Sequence, residues 1–534
     1  MLERQIFYDI LVKFLNAYQL LAPAGQRERE GKLAAKDDFA RLSGKVYVDG
    51  SFVASRSAER FDVIDPATEE ILGSIADCSA GEVDHAIQSA NAARRVWTAM
   101  DARSRAVILH DIAALLRRDK APYAECLTRE EGKPFKEAAD EVSWCATAID
   151  YYAELARHET GRLAGATVPG QFHFSIKEPL GTIVIVLPFN YPLVLLCWEA
   201  AAALAAGNAV IVKPHEQTSL STLKFMEVFS SLPPGLMQVV TGGARVGQQL
   251  IASPNTHGVA YTGSVPVGQA VARTCAESFK PCLIEASGND PFIVMPSAPL
   301  GTAVRGAAFA AYLNCGQVCT SAERFYVHEK IHDEFVEGLV DVARKLRIGN
   351  GLDAVDMGPL ATSRQRDRFE GLMARARQQG AKFMTGGGRP AEHNRGWFVE
   401  PAVLTGVTPD MEILNEEPFG PVAPVCKVSS FDEAITLANR SRFGLGANLY
   451  SLDMNEAFRA VREIESGILW INAPLLDNDA LPFGGRKLSG SGRQLGPEGL
   501  AQFQNTKFVM LDPQASNQDF WWFPYPDAEK FKAT

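Results

Sequence analysis

Cys315 and Cys319 stand four residues apart, a spacing that puts two thiols on one face of a helix or offers two ligands to a soft metal. A thiolate so placed attacks an electrophilic carbon, whereas a thiol packed among apolar side chains does no chemistry. Spacing supplies neither cysteine with a base, so packing is the ordinary expectation for each taken alone. The Gly-rich run at 484–496, GGRKLSGSGRQLG, lacks the Lys-Ser/Thr ending of an ATP loop and reads as turns and closely approached backbone. Asp477 and Asp479, just before Pro482-Phe483, read first as a solvated loop and second as an attraction for an amino group on a ligand.

The elements that must position these residues have an α/β grammar. GTIVIVL at 181–187 is a β-branched run bounded by Gly181 and Pro188, as in a strand buried on both faces. A helix should follow to 206, then strands at Ala209–Val212 and Met237–Val240 with a helix from Ser219 between them. Gly258–Tyr261 leads into Thr262-Gly263-Ser264 and a further helix. This alternation predicts a parallel nucleotide-binding sheet with helical crossovers. Ala-rich helical patterns at 84–118 and 134–157 are scaffold, and a hairpin is expected around Asp49-Gly50. A second α/β block begins near 288 with Phe292–Met295 as a strand and Thr302–Leu313 as a helix, without a second nucleotide loop.

A chain of 534 residues is too long for one small core. Its formal charge of -10, from 63 acidic and 53 basic residues, offers no basic field for nucleic acid. Nine cysteines at irregular intervals form no disulfide framework and no paired CxxC metal pattern, so a reducing, cytoplasmic setting and no metal are expected. No secretory signal or 18-residue apolar span is visible. Leu2, Ile6, Phe7, Ile10, Leu11, Phe14, Leu15 and Tyr18 form an apolar helical stripe that needs cover, from this chain or another subunit in the first instance and from a membrane surface in the second. Residues 25–41 read as a linker or exposed helix, and FWWFPY at 520–525 should dock on another subunit or on the N-terminal extension.

Seven ordered motifs carry a stronger signal: LPFNYP at 187–192, KPHEQT at 213–218, TGSVPVG at 262–268, EASGNDP at 285–291, GQVC at 316–319, EEPFGPV at 416–422 and PFGG at 482–485. Their order and separations resemble the aldehyde dehydrogenase superfamily over about residues 45–510. The resemblance implies a Rossmann-like cofactor domain at 45–156 and 180–287 and an α/β catalytic domain at 288–487. It also implies oligomerisation segments at 157–179 and 504–513, with extensions at 1–44 and 514–534. The assembly implied is a homodimer or homotetramer, and the activity is NAD(P)-dependent oxidation of an aldehyde to an acid through a cysteine thioester.

Residue by residue, the resemblance makes Cys319 the nucleophile, in surroundings expected to favour its thiolate, and leaves Cys315 to packing. Asn190 becomes a donor to the oxyanion, beside the Cys319 backbone amide, and Glu285 the base that activates water for thioester hydrolysis. Ser287 interrupts the usual two-Gly pattern after that base, which leaves the loop conformation open. Lys213 and Glu216 fall near the adenosine ribose, where a carboxylate favours NAD over NADP, NADP remaining the second cofactor. Gly263, Ser264 and Gly268 fall at the pyrophosphate, and Glu417 and Phe419 at the nicotinamide riboside. Phe189, Leu195, Trp198 and Phe483 match the aldehyde channel, with Phe189 replacing a frequent Trp. The rival readings are a coenzyme-A-acylating enzyme, which Glu285 argues against, and an idle binding or structural protein of the same fold. Cys319→Ser should abolish nearly all aldehyde oxidation in a folded protein while Cys315→Ser is much milder, read as cofactor reduction; near wild-type turnover in Cys319→Ser would remove the nucleophile assignment.

Overall fold

The computed structural model describes residues 34–158, 160–518 and 522–524. The stripe at 2–22 lies outside them, as do Phe520, Trp521 and Tyr525. Trp522 and Phe523 are exposed. Residues 25–41 fall partly outside as well. Within them the helix Ala34–Leu42 begins, and it is no linker, since Phe39 and Leu42 are wholly buried in the first core. Among the described residues no helix is long and apolar enough to cross a membrane.

Two sheets organise the chain. The first has the spatial order Gly490–Ser491, Cys282–Glu285, Gly258–Thr262, Thr182–Val186, Ala209–Lys213, Met237–Val239, Lys45–Val48 and Ser51–Ala54. Its five central strands are parallel and its outer strands antiparallel. Thr182–Val186 is buried along nearly its whole length because helices cover both faces, which is why it is apolar rather than alternating. The helix after it, Pro192–Ala205, is buried at all fourteen residues, with Pro192 in its first turn, where a missing N–H costs nothing.

The second sheet runs Lys382–Thr385, Ala402–Thr405, Val422–Val428, Ala322–His328, Asp290–Val294, Asn448–Tyr450 and Trp470–Ile471, parallel except at the first pair. A small third sheet joins Gly161–Ala164, Phe172–Pro179 and Gln504–Leu511, gathering the two segments expected to serve oligomerisation. The expected scaffold region at 84–118 resolves into two helices, Ala80–Ala99 and Ala102–Arg118. The first is fixed at its start by a reciprocal capping box between Ser79 and Glu82.

Register places the motifs. Val186 pairs with Lys213 and with Tyr261, and Thr262 with Glu285, so the carboxyl ends of four strands finish at one level. That rim is where ligands bind in parallel α/β sheets. The second sheet meets it with the opposite polarity: Gly288, Cys319 and Phe419 each lie two or three residues before the strands that start at Asp290, Ala322 and Val422. The cleft therefore lies between the C-terminal rim of one sheet and the N-terminal rim of the other.

Candidate active site

Asn190 is held from both sides. Its side-chain Nδ2 donates to the Gln317 carbonyl at 3.0 Å, which leaves the second N–H of the amide for another acceptor. Its own carbonyl accepts from Lys133 Nζ at 2.5 Å and from Asn314 Nδ2 at 3.1 Å. Lys133 is delivered by a turn. The helix Lys120–Glu131 stops at Gly132 (φ 103°), where a Cβ would meet Pro359 at 2.8 Å and Pro66 at 2.9 Å, and Pro134 starts the next helix. Lys133 Nζ also donates to Glu141 at 2.7 Å, both side chains being fully buried. The other Glu141 oxygen accepts from the Leu193 and Val194 amides, at 2.8 and 3.2 Å, and so caps the helix that follows Asn190.

Cys319 follows a strained turn in which Asn314 (φ 49°) and Cys315 (φ 55°) are left-handed. Cys315 points away, buried in the second core, as the packing reading requires. Cys319 is only partly buried and packs against the first core beside Tyr191. Among the described residues, no protein carbonyl accepts its backbone N–H. Opposite it is Glu285, 2% exposed, whose two carboxylate oxygens are without a hydrogen bond of acceptable geometry.

Burial, with Asp477 adding to it, pushes the Glu285 carboxyl up to about 7 against the pull of the Cys319 thiol. Burial and the Glu285 charge push the Cys319 thiol well above its ordinary range. The expectation that these surroundings favour the thiolate is thus not met by the side chains: burial and the carboxylates of Glu285, Asp290 and Asp477 all oppose ionisation of the thiol. Glu285 can take its proton because burial has raised the affinity of the carboxylate for one.

The EASGNDP loop is explained by a single close approach. A Cβ at Gly288 would lie 1.9 Å from the Cys319 carbonyl oxygen, so this is the glycine the site demands, and Ser287 is tolerated beside it. The Ser287 carbonyl accepts from Ser489 Oγ at 2.8 Å. The Gly288 amide donates to Glu417 at 3.0 Å, and the Phe419 amide to Glu323 at 3.0 Å. Gly490 completes the base from behind: its strand pairs with Ile284 and Glu285, and a Cβ there would meet the Ile284 carbonyl at 2.0 Å.

The residues expected to hold the cofactor line the same rim. Ser264 starts the helix Val265–Ala276 without a side-chain cap, leaving the first amides for an anion. A Cβ at Gly268 would crowd Ile284 at 3.1 Å, and one at Gly263 the Tyr261 hydroxyl at 2.5 Å. Lys213 Nζ donates to Glu216 at 3.0 Å. Burial alone would raise the Glu216 carboxyl, but the Lys213 ammonium holds it below its ordinary range, while burial drives neighbouring His215 down to about 4 and keeps it neutral. Burial pushes Glu417 up to about 7. A pyridine dinucleotide fits this order of groups: pyrophosphate donors at Ser264, a ribose acceptor at Glu216 and another at Glu417.

The channel residues divide. Trp198 and Phe483 are in contact, ring centroids 5.0 Å apart, and Leu195 lies one helical turn before Trp198 on the same buried helix. Phe189 departs from the channel assignment. Its ring stands edge-on to His215 at 5.2 Å and to Phe419 at 5.8 Å, residues of the two motifs expected at the cofactor.

Three participants escaped sequence reasoning. Lys133 sits in a Gly-Lys-Pro turn with no spacing signal. Glu323 is buried and accepts from Phe419 and Asn289, the latter at 3.1 Å. Glu199 did leave a signal, as the lone charge in an otherwise apolar helix. Burial raises it to about 8, and its Oε1 accepts from Gln494 at 2.8 Å while Oε2 has no partner.

A Rossmann-like sheet facing a second α/β unit across a cleft with a cysteine, a buried glutamate and an amide donor defines a pyridine-nucleotide-linked oxidoreductase that works through a thiol. The sequence profile of the Aldehyde dehydrogenase family matches residues 52–509, and the chain belongs to that family. It is 36% identical to 3-sulfolactaldehyde dehydrogenase of Pseudomonas putida over 482 residues, 89% of this chain and 98% of the relative. It is 34% identical to the chloroplastic betaine aldehyde dehydrogenase of Beta vulgaris over 496 residues, 91% and 99% of the two chains. The crystal structure of betaine aldehyde dehydrogenase from Staphylococcus aureus with NAD+ superposes with a TM-score of 0.88 at 30% identity, over 92% of this chain and 99% of that one. The chain is an NAD(P)-dependent aldehyde dehydrogenase that oxidises an aldehyde to its acid through a cysteine thioester.

Lys133→Met leaves Glu141 charged, buried and without its cation, which should cost about 3–5 kcal/mol of stability in denaturant titrations. Adding Glu141→Gln should recover much of that stability but not turnover, because the Asn190 carbonyl still lacks its lysine. Recovery of both together would show that Lys133 does not position Asn190.

Proposed function

We propose that Cys319 is the nucleophile, Asn190 and the Cys319 amide the oxyanion donors, and Glu285 the base of this reaction. Glu285 accepts the thiol proton as Sγ bonds to the aldehyde carbon, and the carbonyl oxygen gathers negative charge against the free N–H of Asn190. The bound nicotinamide serves as hydride acceptor. Loss of hydride from the adduct leaves an acyl group on Sγ. Glu285 releases the thiol proton to solvent and then takes a proton from water, the hydroxide oxygen bonds to the acyl carbon, the S–C bond breaks, and the leaving thiolate takes that proton back from Glu285 as the acid departs. The observation carrying this reading is the unpaired, buried Glu285 carboxylate facing Cys319. It also favours water over coenzyme A as the resolving group.

The cofactor reading rests on Glu216. Kept ionised by Lys213 and beside a neutral His215, it accepts ribose hydroxyls and repels a 2'-phosphate, which supports NAD over NADP. A homodimer or homotetramer is supported by the small third sheet, which exposes Leu163, Phe172, Phe508 and Met510. A cytoplasmic setting is supported by nine free cysteines.

Glu285→Gln should slow the pulse of reduced cofactor, because the thiol loses its proton acceptor, and should leave whatever acyl group does form stalled on Cys319, followed by rapid-mixing absorbance and intact-protein mass; normal steady hydrolysis would reject the base. The base acts as carboxylate, so with its pKa raised to about 7 the wild-type deacylation rate should fall as pH drops through 7 rather than near 4.5. The Gln variant should show no such step. Steady-state titrations should give at least about tenfold higher kcat/KM with NAD than with NADP, and an NADP preference would overturn the role of Glu216.

A further inference from the structure

Glu323 stands four residues after Cys319, in the strand Ala322–His328, which is buried at all seven positions. Burial, with the neighbouring Glu417 adding to it, pushes its carboxyl well above the ordinary range. An acid kept in such a place has to be matched by donors. Both oxygens are matched: Oε1 accepts from the Phe419 amide at 3.0 Å, and Oε2 from Asn289 Nδ2 at 3.1 Å.

The two donors belong to segments that line the cleft. Asn289 lies between the base Glu285 and the strand Asp290–Val294, and its Nδ2 also donates to the Glu416 carbonyl at 3.3 Å. Glu416 and Phe419 flank Glu417, so the Glu323–Asn289 pair holds that loop at both ends. Phe419 is left-handed (φ 49°), a conformation that an aromatic residue keeps only where its surroundings over-determine it. Arg368 and Gln365, on the helix Ser363–Gln378, donate to the Glu417 and Phe419 carbonyls at 2.6 and 2.9 Å. Those bonds leave the Phe419 amide, whose acceptor is Glu323.

The loop is also packed directly on the nucleophile. A Cβ at Gly316 would lie 2.3 Å from the Gly420 carbonyl oxygen, and one at Gly288 would lie 1.9 Å from the Cys319 carbonyl oxygen. The segments carrying the base, the nucleophile and Glu417 are therefore in backbone contact, and Glu323 is the buried side chain that bonds to two of them from the strand of the third.

Hydride transfer is the step of this reaction most sensitive to such a fit, since reacting atoms must approach to about 3–3.5 Å and a misplacement of about 1 Å costs on the order of a hundredfold. We propose that Glu323 is a positioning residue for hydride transfer: with Asn289 it fixes the loop that carries Glu417 and Phe419 relative to Cys319. The inference rests on the assignment of Glu417 and Phe419 to the cofactor and of Cys319 as nucleophile, and adds the side chain that ties the two together. Thiol attack and thioester hydrolysis belong to Cys319 and Glu285, so loss of the Glu323 carboxylate separates them from the hydride step.

The test reads the two kinds of chemistry side by side. p-Nitrophenyl acetate acylates Cys319 and is cleared through Glu285 without cofactor, so its hydrolysis by the cofactor-free protein reports the thiol and base alone. Glu323→Gln keeps the volume and one acceptor, which preserves the fold, but sets its amide against the Asn289 amide, donor against donor. In rapid mixing with propanal its pulse of reduced cofactor should be slower than wild type by about tenfold or more. That pulse should show an isotope effect of at least about two with 1-deuteropropanal, while ester hydrolysis stays within about twofold of wild type. Adding Asn289→Asp gives the glutamine amide an acceptor and should restore the pulse by about threefold or more. An unchanged pulse in Glu323→Gln, or a pulse and an ester hydrolysis that fall by the same factor, would overturn the proposal. Glu417→Ala is the control, with affinity read from the fluorescence of the reduced cofactor. Unaltered affinity there would remove this loop from the cofactor site and the proposal with it; weakened affinity there beside a normal pulse in Glu323→Gln would reject the role of Glu323 alone.

Discussion

The site hangs on one buried ammonium. Lys133 Nζ reaches the Asn190 carbonyl and the Glu141 carboxylate together, and Glu141 in turn grips the first amides of the helix that begins at Pro192. A lysine taken wholly out of water is tolerable only with such partners. The geometry of the oxyanion donor, the start of the most buried helix and the packing of Tyr191, whose ring lies 3.7 Å from Nζ, all follow from satisfying that one charge.

Around this cation the cleft is dominated by carboxyl groups. Glu131, Glu199, Glu285, Glu417, Asp290 and Asp477 are all raised, each chiefly by burial. Three are kept bearable by backbone amides: Glu131 accepts from Lys133 at 3.0 Å, Asp290 from Gly446 at 3.0 Å and Glu417 from Gly288. Glu199 is met only by side chains, and Glu285 stands opposite Cys319 without an amide donor. A cleft of this sign shapes which ligands enter it.

The parallel sheet was readable because its strands are β-branched runs buried on both faces and its crossovers carry helical periodicity. The same logic places Asn190, Lys213 and Thr262 just beyond strand ends, whereas the short strand that ends in Glu285 has no such reading in the sequence. What periodicity could not show was direction in the loops. Phe189 and Trp198 lie nine residues apart and both match the aldehyde channel in sequence, yet the ring of one packs on His215 and Phe419 and that of the other on Phe483. Lys133 was invisible because a Gly-Lys-Pro turn looks like any exposed connection until its Gly132 conformation folds it inward. The thiol's surroundings were not legible for a similar reason: the acids that oppose its ionisation, Glu285, Asp290 and Asp477, come from two distant stretches of chain and meet only in the folded protein. The helix Ala34–Leu42 agrees with the second of the two readings of 25–41, an exposed helix, except that Phe39 and Leu42 are buried, too few apolar positions for the sequence to show.

The short strand Gly490–Ser491 gives the first sheet an unusual dependence on time. It pairs with Ile284 and Glu285 across some two hundred residues of intervening chain, and Phe503 adds two more contacts by accepting from Leu180 and Asn208. During synthesis the strand that ends in Glu285 leaves the ribosome long before its neighbour exists, so a nascent chain carries an open parallel-sheet edge while the whole second unit is being made. Contacts of such sequence separation form late and slowly. The reactive cleft is therefore assembled only when synthesis is nearly complete, and an interrupted chain ending before residue 490 presents a sticky sheet edge in place of a catalyst.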